Sequence, residues 1–226
     1  MGETLHFPVN GHQGTGYLAV PATEKGPGVL VIQEWWGLVD HIKDVCDRFA
    51  NAGFVALAPD LYHGTVTKSP DEAGKLLMAL NIAKAGIDLR AAADALIARH
   101  ELSTARVGVV GFCMGGQLAL YAAAEYPDRI GAAVDFYGVH PNVRIDPAKL
   151  RVPLLAHFGK QDASVKEADA RALVKKIKTA GGSIEAHYYD AGHAFFNDTR
   201  PTVYHKQSAQ QAWDRTLSFL REKLSA

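Results

Sequence analysis

Three residues from the midpoint of the chain onward have the types and the order needed for nucleophilic acyl transfer. Cys113 lies in Gly111-Phe112-Cys113-Met114-Gly115, a G-x-C-x-G pattern followed by a further glycine, Gly116. This is the G-x-S-x-G elbow with sulfur in place of oxygen, set between an apolar run and an alanine-rich segment. A nucleophile on so sharp a turn needs neighbours without side chains, and the glycines supply them. The helix that follows aims its unpaired N–H groups and its dipole at the sulfur. Cys46 has no glycine neighbours and lies in an amphipathic segment, so it reads as a buried structural cysteine.

A thiol nucleophile needs a base, and the base needs an orienting acid. In elbow enzymes the order along the chain is nucleophile, acid, histidine. Five histidines follow Cys113: His140, His157, His187, His193 and His205. His157 and His187 fall inside strand-like runs, and His205 opens the last helix. His140 comes too soon to leave room for an acid on an intervening strand. His193, in the glycine-containing loop "DAGHAFF", is the expected base. Asp162, in "PLLAHFGKQD", is the expected acid; Asp190 is its main rival. Attack on a carbonyl also requires two N–H donors for the oxyanion. The residue after the nucleophile, Met114, is one, and Trp35 in "VLVIQEWWG" is the other. Glu34 stands beside them, and a carboxylate next to a thiol site disfavours a free thiolate.

These residues need a scaffold that gathers loops at one edge. The chain has 226 residues, 48% hydrophobic and 21% charged, with 24 basic and 24 acidic side chains. That suits one domain spanning residues 1–226, with no repeat or linker and no footprint of nucleic-acid or membrane binding. No apolar stretch is long enough to cross a bilayer, and a cytoplasmic location is the default expectation. Asn10-Gly11 joins two strand-like runs as a hairpin. Strand-like runs "GVLVIQ", "FVALA", "RVGVVG", "AAVDFY", "PLLAHF" and "IEAHYY" then alternate with helical segments, among them 70–100 and the C-terminal helix. The alternation predicts an α/β fold, with a mostly parallel sheet and helices on both faces. Sites in such sheets form at the carboxyl ends of the strands, where all the candidates above lie. The histidines show no metal-binding spacing, so neither metal nor cofactor is expected.

Taken together, "QEWWG", "APDLY", "GFCMGG", "GKQD" and "AGHAFF" resemble the dienelactone hydrolase family (carboxymethylenebutenolidases) of the α/β-hydrolase fold, over nearly the whole chain. The resemblance implies a Cys-Asp-His triad at Cys113, Asp162 and His193. It implies that Glu34 contacts the nucleophile, and that the resting thiol is neutral until substrate lets the glutamate take its proton. It also implies hydrolysis of a small ester or lactone without metal or organic cofactor. Family members grip a substrate carboxylate with arginines, one after "PDLY" and one shortly after the histidine. Here the first region has no arginine, and Asn197 stands four residues after His193, with Arg200 close by. Trp36, Tyr62, Phe195 and Phe196 complete the expected substrate pocket. The alternatives are a broad carboxylesterase or thioesterase with the same triad, and a non-catalytic ligand binder or thiol sensor. A monomer or a small homo-oligomer is expected.

Overall fold

The computed structural model describes residues 2–225. Its sheet has eight strands: β1 (Glu3–Val9), β2 (His12–Ala19), β3 (Gly28–Ile32), β4 (Val55–Pro59), β5 (Val107–Phe112), β6 (Ile130–Phe136), β7 (Leu154–Gly159) and β8 (Ile184–Tyr189). Their spatial order is β1-β2-β4-β3-β5-β6-β7-β8. β1 and β2 form the expected antiparallel hairpin, with Gly11 at φ +88° in its turn, and β2 joins β4 antiparallel. All other pairings are parallel. The sequence reading of a mostly parallel sheet with an N-terminal hairpin matches this architecture.

Helices cover both faces. One face carries α3 (Ile82–Ile97), α4 (Met114–Glu125) and α5 (Glu167–Thr179), and the other α1 (Asp40–Asn51) and α6 (Lys206–Leu224); α2 (Pro70–Ala79) precedes α3. β5 at the centre explains why both layers hold. Val107 and Val109 pack into the core under α3 and α4, and Val110 and Phe112 into the core under α1 and α6. With a residue period of two, one strand feeds both cores, so its run is apolar throughout rather than alternating. Pro70 opens α2, and Ser69 caps it by accepting the Glu72 N–H at 3.4 Å.

The junction of β5 with α4 is where the fold sets up the chemistry. A Cβ on Gly111 would collide with the backbone of Gly115, so the strand end and the helix start touch main chain to main chain. Cys113, caught between them, has φ 57° and ψ −121°. That conformation is costly for a residue with a side chain and persists only because the surroundings enforce it. The Cys113 N–H donates to Phe136 O at 2.9 Å, tying the turn to the end of β6.

Asp135 of β6 fills the space under this turn. It is wholly buried, its Oδ1 accepts the Gly138 N–H at 2.8 Å, and its Oδ2 has no partner among the described residues. Burial pushes its carboxyl well above the usual carboxylate range, against the weaker opposing effect of the Gly138 hydrogen bond. Native Asp135 therefore keeps its proton at pH values where the unfolded chain has lost it. Its contribution to stability is fully present below about pH 4 and falls as pH rises above that. Asp135→Asn retains the shape and the acceptor oxygen without the titration. Denaturant melts should show the variant gaining stability relative to wild type between about pH 4 and neutrality. A constant difference across that range would contradict a buried, proton-holding Asp135.

Candidate active site

The loops after β3, β5, β6, β7 and β8 meet at one edge of the sheet around a cavity of about 380 Å³. Cys113, Met114, Trp35, Tyr137, His140, His193 and Arg200 line it, with apolar walls from Leu77, Val139, Val165 and Val203. Cys113 is partly exposed, whereas Cys46 is fully buried in α1. Met114 is the first residue of α4, so its N–H has no intrahelical acceptor. The Trp35 N–H likewise has no acceptor among the described residues.

His193 and Asp162 come from adjacent loops laced together by main-chain bonds. Lys160 N–H donates to Tyr189 O at 2.8 Å, and Gln161 N–H to Ala191 O at 3.0 Å. This lacing fixes the distance between the two side chains before they interact. Asp162 Oδ2 lies 2.7 Å from His193 Nδ1, while Oδ1 accepts the Ser164 and Val165 N–H groups at 2.7 and 2.8 Å. The carboxylate is thus fully engaged, and its side chain is only 1% exposed. The rival Asp190 points outward and pairs with Lys160 at 2.9 Å.

Burial of the imidazole opposes its protonation. That effect is outweighed by the hydrogen bond to Asp162, by a hydrogen bond to Cys113, and by the charges of both partners. The His193 pKa is raised to about 10. The imidazole is therefore bracketed by the carboxylate on one side and the sulfur on the other.

Glu34 is buried behind this group. Its Oε2 accepts the Asn197 amide at 2.9 Å, and no hydrogen bond joins it to Cys113 among the described residues. Burial raises its pKa, and the Asn197 bond and the charges of His193 and Arg200 pull it back down. Asn197 is 2% exposed, so it serves this carboxylate rather than the cavity. Arg200 reaches the cavity and lies 5.3 Å over the Trp36 ring, which in turn meets Trp35 edge-on at 4.9 Å. Tyr62 is buried with an unpartnered hydroxyl. Burial raises its pKa, and the nearby Cys113 charge adds to the shift.

Phe195 and Phe196 do not line the pocket as expected. They are 0% and 2% exposed and pack among Tyr137 and Tyr189, and among Phe112 and Phe136. Positive φ at Ala194 (57°) reverses the chain after His193 and turns the two rings inward. Besides the apolar walls, Tyr137 and His140 escaped the sequence reading of the cavity. Tyr137 directly follows β6 at φ 45°, and its ring meets His193 at 5.1 Å. Its position just past a strand end was the available signal. His140 had been set aside as a base, yet it borders the cavity, with burial lowering its pKa.

Comparison with known proteins places the chain in a family. Residues 15–224 match the sequence profile of the dienelactone hydrolase family. "Protein usf" of Aquifex pyrophilus is 39% identical, and the match covers 100% of both chains. "Putative carboxymethylenebutenolidase" of Aquifex aeolicus is 33% identical, over 99% of this chain and 100% of the relative. The crystal structure of "Putative Dienelactone Hydrolase" from Klebsiella pneumoniae superposes with a TM-score of 0.88 at 29% identity, covering 98% of each chain. Sequence and fold together establish that the chain belongs to the dienelactone hydrolase family of α/β-hydrolases.

Proposed function

We propose that the protein hydrolyses small esters or lactones with Cys113 as nucleophile, His193 as general acid and base, and Asp162 as the group that orients His193. The observation that carries this reading is the Asp162–His193 pair at 2.7 Å facing the sulfur in the wall of one cavity. The sulfur attacks the substrate carbonyl carbon, and the carbonyl electrons move onto oxygen. The Trp35 and Met114 N–H groups receive that oxyanion, assisted by the positive end of α4. Collapse of the intermediate breaks the C–O bond, and His193 hands its proton to the departing alkoxide or enolate. Water then attacks the thioester with His193 taking its proton, and the thiolate leaves. Glu34, held by Asn197, sets the electrostatic balance of the pair from behind.

The cavity suggests the substrate. Its walls are mostly apolar, and Arg200 is the one Lys or Arg that borders it. Arg200 therefore fits a carboxylate or similar anionic group on a compact substrate. The place after "PDLY" where family members carry another arginine supplies Leu77 of α2 instead. One cation rather than two favours a broader ester range than the family's dienelactones, with anionic substrates preferred.

Three outcomes follow. Cys113→Ala should lower kcat/KM for p-nitrophenyl acetate by at least about 10^4-fold, and mass spectrometry of the wild type should trap an acyl group on Cys113; undiminished turnover would reject the nucleophile. Arg200→Gln should raise KM for an anionic lactone by about tenfold or more while leaving neutral acetate esters nearly unaffected; equal losses on both would remove Arg200 from substrate binding. With the His193 pKa raised to about 10 in part by Asp162, Asp162→Asn should lower the imidazole titration followed by NMR of its ring protons and cut kcat/KM by about 10^3-fold or more; an unmoved titration would remove Asp162 as its partner.

A further inference from the structure

Away from the catalytic edge, three segments distant in sequence bring together two imidazoles and a carboxylate. His12 opens β2, His63 follows β4, and Asp88 lies on α3. Asp88 is almost fully buried, with a side chain 6% exposed. Its Oδ1 lies 3.0 Å from His12 Nε2 and its Oδ2 lies 3.4 Å from His63 Nε2. Among the described residues no lysine or arginine forms an ion pair with it. Lys84, one turn earlier on α3, borders the same surface cavity without reaching it. A buried carboxylate matched only by two imidazoles is poorly compensated unless something positive sits among them.

The geometry points to a binding site for a divalent first-row transition metal, of the zinc type, held by His12 Nε2, His63 Nε2 and one Asp88 oxygen. All three ligand atoms lie within 4.8 Å of one another. Tetrahedral bonds of about 2.0–2.1 Å set ligand atoms roughly 3.3 Å apart. Each imidazole nitrogen lies close to that spacing from one of the two Asp88 oxygens, His12 Nε2 at 3.0 Å from Oδ1 and His63 Nε2 at 3.4 Å from Oδ2, so a small turn of the carboxylate brings one oxygen into the shell. The imidazoles meet edge-to-face at 5.2 Å, and both turn Nε2 toward the Asp88 carboxylate. Their side chains are 42% and 53% exposed, which leaves an entry path and an open fourth position for water. Two imidazoles and one carboxylate suit zinc, cobalt or nickel rather than magnesium or calcium, which favour all-oxygen shells. No motif announces the site, because each segment supplies a single ligand.

Its consequence is mechanical. His63 is held at φ 50°, next to Tyr62, a buried residue near enough to Cys113 to feel its charge. A bound ion ties the N-terminal hairpin and α3 to the loop that carries Tyr62. The inference is independent of the hydrolase reading.

Cobalt titration of chelator-treated protein distinguishes this site from adventitious binding at the nucleophile. One equivalent of Co²⁺ should give visible ligand-field bands without the near-ultraviolet sulfur-to-metal charge transfer that coordination by Cys113 would produce. Calorimetry with Zn²⁺ should show one site, weakened at least about tenfold in each of His63→Ala and His12→Ala and unchanged in Cys113→Ala. Zinc should raise the Tm of the wild type and not of His63→Ala, whose exposed side chain can be removed without opening the core. Absence of saturable binding would overturn the proposal. So would binding that survives both histidine substitutions, or binding that disappears with Cys113→Ala.

Discussion

The close approach of α4 to the end of β5 governs everything built at the sheet edge. Main chain meets main chain at Gly111 and Gly115, and no other residue type permits that separation. The contact forces Cys113 into a backbone conformation that it would not adopt in isolation, and so lifts its sulfur into the cavity. The same approach puts the positive end of α4 beneath the sulfur. Presentation of the side chain and its place at the helix N-terminus therefore have one cause.

A second constraint works across the sheet. Asp162 and His193 are brought into register by bonds between the loops that follow β7 and β8, not by their own attraction. Two Asp162 oxygens share three donors, which leaves the carboxylate no freedom to rotate. Strain collects around the same place. Cys113, Tyr137 and Ala194 all have positive φ without being glycine, and all border the cavity. Such concentration is what a packed scaffold allows when it supports a site on several sides at once.

Much of this was legible from residue order. The apolar run of β5, the glycines around Cys113 and the alternation of strand and helix marked the turn that presents Cys113. Asp162 and His193 followed because the fold class restricts acids and bases to strand ends. What escaped detection depends on side-chain direction. Phe195 and Phe196 look like pocket aromatics in a loop, but one reversed backbone angle at Ala194 sends them into the core. Asn197 similarly turns to Glu34. Tyr137 merged with the strand before it, since an aromatic residue continues a β pattern without a break. The His12–His63–Asp88 group was invisible for a different reason: its members are far apart in the chain and meet only through the sheet order.

α2 stands apart from the rest of the architecture. It buries only Ala73 completely, yet lends Leu77 to the cavity wall. Beyond Ala73, only Leu76 and Leu77 of this helix pack against the core, so its exposed positions can change at little thermodynamic cost. The helix is thus a stretch of cavity wall joined to the fold by few buried side chains. The contour of that wall can drift from one descendant to the next while the sheet beneath it holds.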